Sequence, residues 1–357
     1  MKKIIKYYRI GRDCFYQNIS VLLENKNKLS YAFKYLNNDF LYNKEIFSRF
    51  KNKETVDSFI NKDNELALIK GIDSYYLEEI NTFRKATSNN FFKLIIHKNE
   101  GGILEIQDII TRNGPLMFYC DPYYLRAFNE ERKINVNHHY SKHLSIIKDI
   151  NPGRNTCQII DKFYNFEGEV LIDDYWKCSN SDYIQNNLRG IAYSISLKED
   201  NKSESKRIQE NLHLQLKNLK KKFIIIKGKK YLKNLYAVEA LINDLEEIIQ
   251  IIIDQKGKYA PQFFIQLLQP TMQEKLSFHD LMSYVKTKLN NLELDRLLDE
   301  LKILSTLWIT IDYLCDKCYL TGYNLKDYSE RIKRLLHKIY YQEERVELEL
   351  LELRNEL

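Results

Sequence analysis

An α+β front half followed by a mostly helical back half is the fold class this sequence predicts, and three observations carry it. Five short runs at 92–97, 116–120, 143–150, 156–163 and 191–197 are rich in β-branched or aromatic residues and bounded by Gly, Pro, Asn or Asp, which is the signature of strands. A polar run at 198–205 then reads as a linker or helix lead-in. Beyond it, Leu235, Val238, Leu241, Ile242, Leu245, Ile248 and Ile249 recur at helical spacing, as do Leu294, Leu297, Leu298, Leu301 and Leu304, and 328–357 keeps that period. The expected division is therefore 1–198 and 199–357.

Within the front half, Asn151-Pro152-Gly153 separates two strand-like runs. These are turn formers by separate mechanisms, so 143–150 and 156–163 are expected to form a β-hairpin. Register then matters, because side chains on a strand alternate between faces. A three-residue loop places His143 across from Asp161, and a five-residue loop makes them diagonal neighbours. An even loop sends Asp161 to the other face unless a bulge restores the phase.

Composition excludes several function classes. With 357 residues and 44% hydrophobic content the chain can bury a sizeable core and is not a disordered segment. No run approaches the ~20 apolar residues of a membrane span. The basic first twelve residues lack the apolar core of a secretory leader, so the expected location is cytoplasmic, with no membrane partner. The six cysteines would stay reduced there, which admits a reactive thiol. A net charge of +6, without a zinc-finger pair, a Gly-rich phosphate loop or a dinucleotide fingerprint, gives no support to nucleic acid or a nucleotide cofactor.

Cys14 follows Gly11-Arg12-Asp13 and precedes an apolar-periodic segment at 19–23. Asp13 is a good N-cap, which places Cys14 in the first turn of a helix. There the macrodipole and unpaired amides favour thiolate, the nucleophilic form. Taken alone, such a cysteine is more often a small buried hydrophobe. His143 and Asp161 change the balance. A nucleophilic thiol needs a base, the base needs a group that fixes its tautomer, and neighbouring strands can hold that pair ~5 Å apart.

Other constellations weigh less. His138, His139, His143 and Cys120 fit no standard zinc spacing, and a polar loop is the better reading, so no metal is expected. Cys315-Asp316-Lys317-Cys318 lies in a helical pattern without a second pair and reads as two packed thiols. Lys220, Lys221, Lys222, Lys227, Lys229, Lys230 and Lys233 could face an acidic protein or be a solvated surface.

A cysteine opening a helix near the N-terminus, then a His-initiated strand paired with an Asp-bearing strand, resembles the papain-like superfamily. More narrowly, Gly114-Pro115-Leu116-Met117-Phe118-Tyr119-Cys120-Asp121-Pro122-Tyr123-Tyr124-Leu125, then Ser141-Lys142-His143, then Asp161, resembles the papain-like cysteine acyltransferases of the butirosin-biosynthesis type, over about residues 10 to 180. That resemblance implies a papain-like fold with an antiparallel sheet in 1–198, followed by a helical region. It implies an amide synthetase in natural-product biosynthesis. Cys14 would be the nucleophile, His143 the base and acid, and Asp161 the orienting carboxylate. The donor would be an acyl- or peptidyl-carrier protein and the acceptor a small amine. No cofactor would reside on this chain, the phosphopantetheine belonging to the carrier. One departure matters: papain-like peptidases place a Gln several residues before the cysteine, and this chain has Tyr7, Tyr8 and Arg9 there. The alternatives are a peptidase or thioesterase using the same triad, and a non-catalytic interaction scaffold.

Overall fold

A computed structural model of the chain describes residues 14–24, 40–51, 69–70, 92–98, 102–125, 139, 143–162, 164, 166–186, 188–197, 202–216, 219–226, 228–289 and 294–356. In chain order the elements are α1 (Cys14–Glu24), β1 (Leu41–Tyr42), α2 (Lys44–Lys51), β2 (Ile69–Lys70), β3 (Phe92–Lys98), α3 (Ile103–Asn113), β4 (Leu116–Cys120), β5 (His143–Asn151), β6 (Thr156–Asp161) and β7 (Phe166–Leu171). They continue with α4 (Ile172–Ser179), β8 (Ile191–Leu197), α5 (Glu204–Leu216), β9 (Phe223–Ile226), β10 (Lys229–Lys233), α6 (Asn234–Lys256), α7 (Ala260–Lys288), α8 (Asp295–Thr321) and α9 (Leu325–Glu356). The chain is α+β, with antiparallel sheets and a helical C-terminal region.

Two compact units partition the chain: Met1–Ala32 with Arg84–Lys202, and Phe33–Phe83 with Ser203–Leu357. The break at 202/203 falls inside the polar run at 198–205. Residues 33–83 group with the helical half, because β1 and β2 pair with each other and β1 pairs with β10.

The first unit is built on a six-stranded antiparallel sheet of order β3-β8-β4-β5-β6-β7. On one face Phe118, Cys120, Ile147, Ile159, Cys157, Phe166 and Val170 share a core with Ile106, Ile109 and Ile110 of α3 and Tyr175 and Cys178 of α4. Strand side chains alternate, so the buried residues Met117, Tyr119, Leu144, Ile146, Ile160 and Tyr193 turn the other way. Helix α1 packs against β4, β5 and β8. Its buried Ile19, Val21, Leu22 and Leu23 stand outside the α3/α4 core.

The hairpin loop is longer than three residues. Pro152–Arg154 form a 3-10 turn and Asn155 takes the left-handed conformation at φ 54°, a position Asn tolerates well. Asn151 pairs with Thr156, Ile150 with Cys157 and Asp149 with Gln158, which gives an even loop. Continued without a break, that register would set Asp161 opposite Ile146, on the wrong face. It is broken by a bulge at Lys148, after which Ile147 pairs with Ile159 and Ile146 with Ile160. One further step sets Ser145 opposite Asp161, with His143 two residues on along the same face. The bulge restores the phase.

The second unit holds a four-stranded sheet of order β2-β1-β10-β9 and the long helices α6 to α9. Trp308 of α8 is its largest fully buried side chain, with the ring of Phe40 5.4 Å away edge-on. Lys275 of α7 and Glu343 of α9 form a fully buried ion pair at 2.6 Å. The hairpin β9–β10 interrupts a half that the sequence reads as mostly helical. Gly228, at φ 76°, turns the chain there, and β-branched Ile224, Ile225 and Ile226 favour strand. Of the lysines in this stretch, Lys220, Lys221, Lys222 and Lys230 are exposed, whereas Lys233 is buried and so cannot face a partner. Lys227 lies outside the described residues. Among the described residues, no helix is long and apolar enough to cross a membrane.

Candidate active site

The site grows from the end of the sheet where β4 finishes and β5 begins. Cys120 and His143 are directly paired across those two strands. The bulge at Lys148 then delivers Asp161 to the same face from the far end of β6. His143 Nε2 and Asp161 Oδ2 lie 2.6 Å apart, both residues buried. Ser145 Oγ donates to that same Oδ2, and the Tyr164 amide donates to Oδ1 at 3.1 Å. Cys120 Sγ is 3.1 Å from Ser145 Oγ. With the serine proton committed to Asp161, the thiol is the donor in that last contact. The Tyr164 ring stands 5.1 Å from the imidazole, centroid to centroid.

This arrangement fixes the tautomer. Burial makes a carboxylate without donors costly, and Asp161 meets that cost by accepting from His143, Ser145 and Tyr164. The imidazole hydrogen therefore sits on Nε2, and proton acceptance falls to Nδ1. An oriented His–Asp pair is the base half of a nucleophilic triad.

No protein-family model matches this chain, and neither does any curated protein.

Cys120, His143 and Asp161 offer three ligand atoms within 4.8 Å of one another. They do not fit a zinc ion as they stand. Two ligands at ~2.05 Å from a tetrahedral zinc are about 3.3 Å apart. The 2.6 Å separation of His143 from Asp161 is that of a shared proton. His138 lies outside the described residues, and His139 pairs instead with Asp121 at 2.7 Å.

Two cysteines compete for the role of nucleophile. Cys120 is fully buried, and burial pushes its thiol well above the ordinary range, with neighbouring Cys178 adding to the rise. That thiol donates to Ser145 within the buried Cys120–His143–Asp161 group. Cys14 opens α1, as its helix-start context predicts, while Asp13 and the Cys14 side chain lie outside the described residues. One turn after Cys14, Asn18 Nδ2 donates to Leu144 O at 2.8 Å, next to His143. The rest of α1 runs on over β4, β5 and β8. The start of the helix therefore lies at the His143 end of the sheet.

Sequence reading brings His143 and Asp161 together correctly, raises Cys120 only as a possible metal ligand, and misses Ser145 and Asn18. Ser145 was open to inference, being two residues after His143 and hence on its face. Asn18 carries the period of its helix and gives no separate signal. In the helical unit, burial raises both thiols of the C-x-x-C, and both Cys315 and Cys318 are buried in α8, as two packed thiols should be.

Proposed function

We propose that the chain is a papain-like cysteine acyltransferase, an amide synthetase with Cys14 as nucleophile, His143 as base and acid, and Asp161 as orienting carboxylate. The observation that carries this is the buried His143–Asp161 pair, phased by the bulge and set at the end of the sheet where α1 begins. The donor is an acyl group on a carrier-protein thioester and the acceptor a small amine. The phosphopantetheine belongs to the carrier.

In the first half-reaction His143 Nδ1 takes the Cys14 proton and the thiolate adds to the donor carbonyl. The carbon–sulfur bond to the carrier breaks, and the departing thiolate receives the proton from His143. In the second, an amine adds to the Cys14 thioester and releases the Cys14 thiolate. The imidazole shares the sheet face lined by α3 and α4, so in this reading Cys14 reaches it past the His143 end of β5.

Intact-mass measurement after incubation with an N-acetylcysteamine thioester tests this. The expected result is one acyl adduct, absent in Cys14→Ala, retained in Cys120→Ala, and discharged by added amine faster than by water. Rapid loss to water would make the protein a thioesterase or peptidase with the same triad. The pairing of Cys120 with His143 favours a second reading, with that thiol as nucleophile. An adduct lost in Cys120→Ala and kept in Cys14→Ala would establish it. Absence of any adduct would leave an interaction scaffold.

A further inference from the structure

At the same end of the sheet as the His143–Asp161 pair stands a second carboxylate–imidazole pair that the first half-reaction does not use. Asp121 follows Cys120 at the end of β4 and is fully buried. Its Oδ2 accepts from His139 Nδ1 at 2.7 Å and from Ser181 Oγ at 2.8 Å, and its Oδ1 accepts from the Tyr123 amide at 3.3 Å. With Nδ1–H given to the carboxylate, a neutral His139 carries its lone pair on Nε2.

The surroundings of this imidazole are unlike those of a buried cap. Its ring is stacked on Tyr183, centroids 3.6 Å apart and planes within 5°, and Tyr123 lies 4.1 Å away on a tilt of 42°. Both tyrosines are open to solvent, Tyr123 at 44% and Tyr183 at 55%. The His139 side chain is 23% exposed, with phenol rings close by and the buried Asp121 carboxylate at its Nδ1. Aromatic faces and a carboxylate both favour a cation. Cys120 pairs with His143, so Asp121 and His143 belong to the same end of the sheet.

Proton counting gives this cluster a task. A primary amine reaches the site at neutral pH as an ammonium, and an amide nitrogen carries two fewer protons than an ammonium. His143 accepts one of the two as the amide forms. The other must leave before attack, since an ammonium has no lone pair.

We propose that Asp121, His139, Tyr123 and Tyr183 form the acceptor subsite, which binds a primary ammonium and takes its first proton at His139 Nε2. The freed nitrogen lone pair adds to the Cys14 thioester carbonyl, a carbon–nitrogen bond forms, the carbon–sulfur bond breaks with the electrons leaving on Cys14, and His143 takes the second proton. This assignment rests on the acyltransferase reading.

Two measurements on the full chain test it, and they fail separately from that reading. In the first, the protein carries ¹³C-labelled histidine and is titrated with n-butylammonium or n-butanol, the His139 signal being assigned by its loss in His139→Gln. A saturable shift with the ammonium and none with the alcohol is expected. No shift, or equal shifts, would overturn the subsite whether or not the protein transfers acyl groups. In the second, the Cys14 acyl adduct is discharged with n-butylamine. His139→Gln is expected to slow discharge about 100-fold, with the loss confined to that step. Tyr183→Leu, a change at an exposed ring that leaves folding intact, should raise the half-saturating amine concentration about threefold. Wild-type discharge by both variants would refute the assignment. Failure of the wild type to form an adduct refutes the acyltransferase reading instead, and the titration then decides the ammonium site alone.

Discussion

Replacing Asp161 with Asn probes the site at its most constrained point. The carboxylate is fully buried and accepts from His143 Nε2 at 2.6 Å, from Ser145 Oγ, and from the Tyr164 amide at 3.1 Å. An Asn side chain offers one acceptor oxygen and one NH₂ donor in the same volume. With the oxygen against the Tyr164 amide, the NH₂ group faces His143 and Ser145. The serine can turn to accept, and the imidazole can accept at Nε2 if its hydrogen moves to Nδ1. The Asn amide is then fully paired, but Nδ1, which now carries the hydrogen, no longer takes a proton from Cys14. In the opposite orientation the NH₂ meets the Tyr164 N–H, and a buried donor left without an acceptor costs about 1–3 kcal/mol. The first orientation wins. The expected outcome is a folded protein within about 1 kcal/mol of wild-type stability in urea denaturation, in which Cys14 acylation falls by a factor of about 10⁴, as a wrong histidine tautomer does in an established Ser-His-Asp triad. That factor is about 5.4 kcal/mol of barrier. The acylation rate is read by intact mass with an N-acetylcysteamine thioester, and ¹⁵N shifts of His143 report the tautomer. Acylation within tenfold of wild type, with the tautomer changed, would refute the role given to Asp161.

Further outcomes follow from the packing. Burial, with Asp174 nearby, pushes the Cys157 thiol from its ordinary 9.0 up to about 12; the folded state therefore holds this proton more tightly than the unfolded state. Its contribution to stability is intact below about pH 9 and is lost as the pH rises toward 12, at about 1.4 kcal/mol per pH unit. Urea midpoints that stay level from pH 9 to 10.5 would contradict this, and Cys157→Ala should flatten the decline. In the helical unit, Lys275→Met strands Glu343 without its ion-pair partner, both side chains being at most 1% exposed. The expected loss is about 3–5 kcal/mol in urea unfolding, and adding Glu343→Leu should recover most of it; a single variant as stable as wild type would sink the argument. Charge reversal at the exposed Lys221, Lys222 and Lys230 should raise the apparent KM for an acidic acyl-carrier protein and weaken its salt dependence. An equal loss with the small thioester would show that these lysines do not dock a carrier.

Much of the first unit was legible because its strands announce themselves twice, by alternation and by the turn formers around them. The runs at 116–120 and 191–197 coincide with β4 and β8, and 143–150 is β5 less one residue. Strand β7 gave a weaker signal. Its inward residues are Phe166, Gly168 and Val170, and a glycine between two glutamates lowers strand propensity even though the pairing with β6 is regular. Helix α4, at eight residues, is too short for its period to stand out from the preceding strand.

The site was legible only up to a parity. Composition marks His143 and Asp161 as a possible pair, but whether they meet depends on counting residues through a loop, and that count comes out even. What reverses it is one extra residue, Lys148, with nothing in its type to mark it as the bulge. A bulge costs a ladder pairing and leaves a residue unmatched. It is stable here because the register it produces buries Ile146, Ile147, Ile159 and Ile160 against their cores. The uninterrupted register would swing the start of β5 by one face relative to β6, exposing one set of these to a mismatched neighbour and stranding the Asp161 carboxylate among apolar side chains. The free energy that holds the bulge is therefore mostly hydrophobic, and the placement of His143 over Asp161 comes with it. A site set by core packing in this way tolerates changes in the loop: removing Lys148 should leave Ile147 against Ile159, and with it the His143–Asp161 contact, because deletion of the unmatched residue turns the same pairing into a regular ladder.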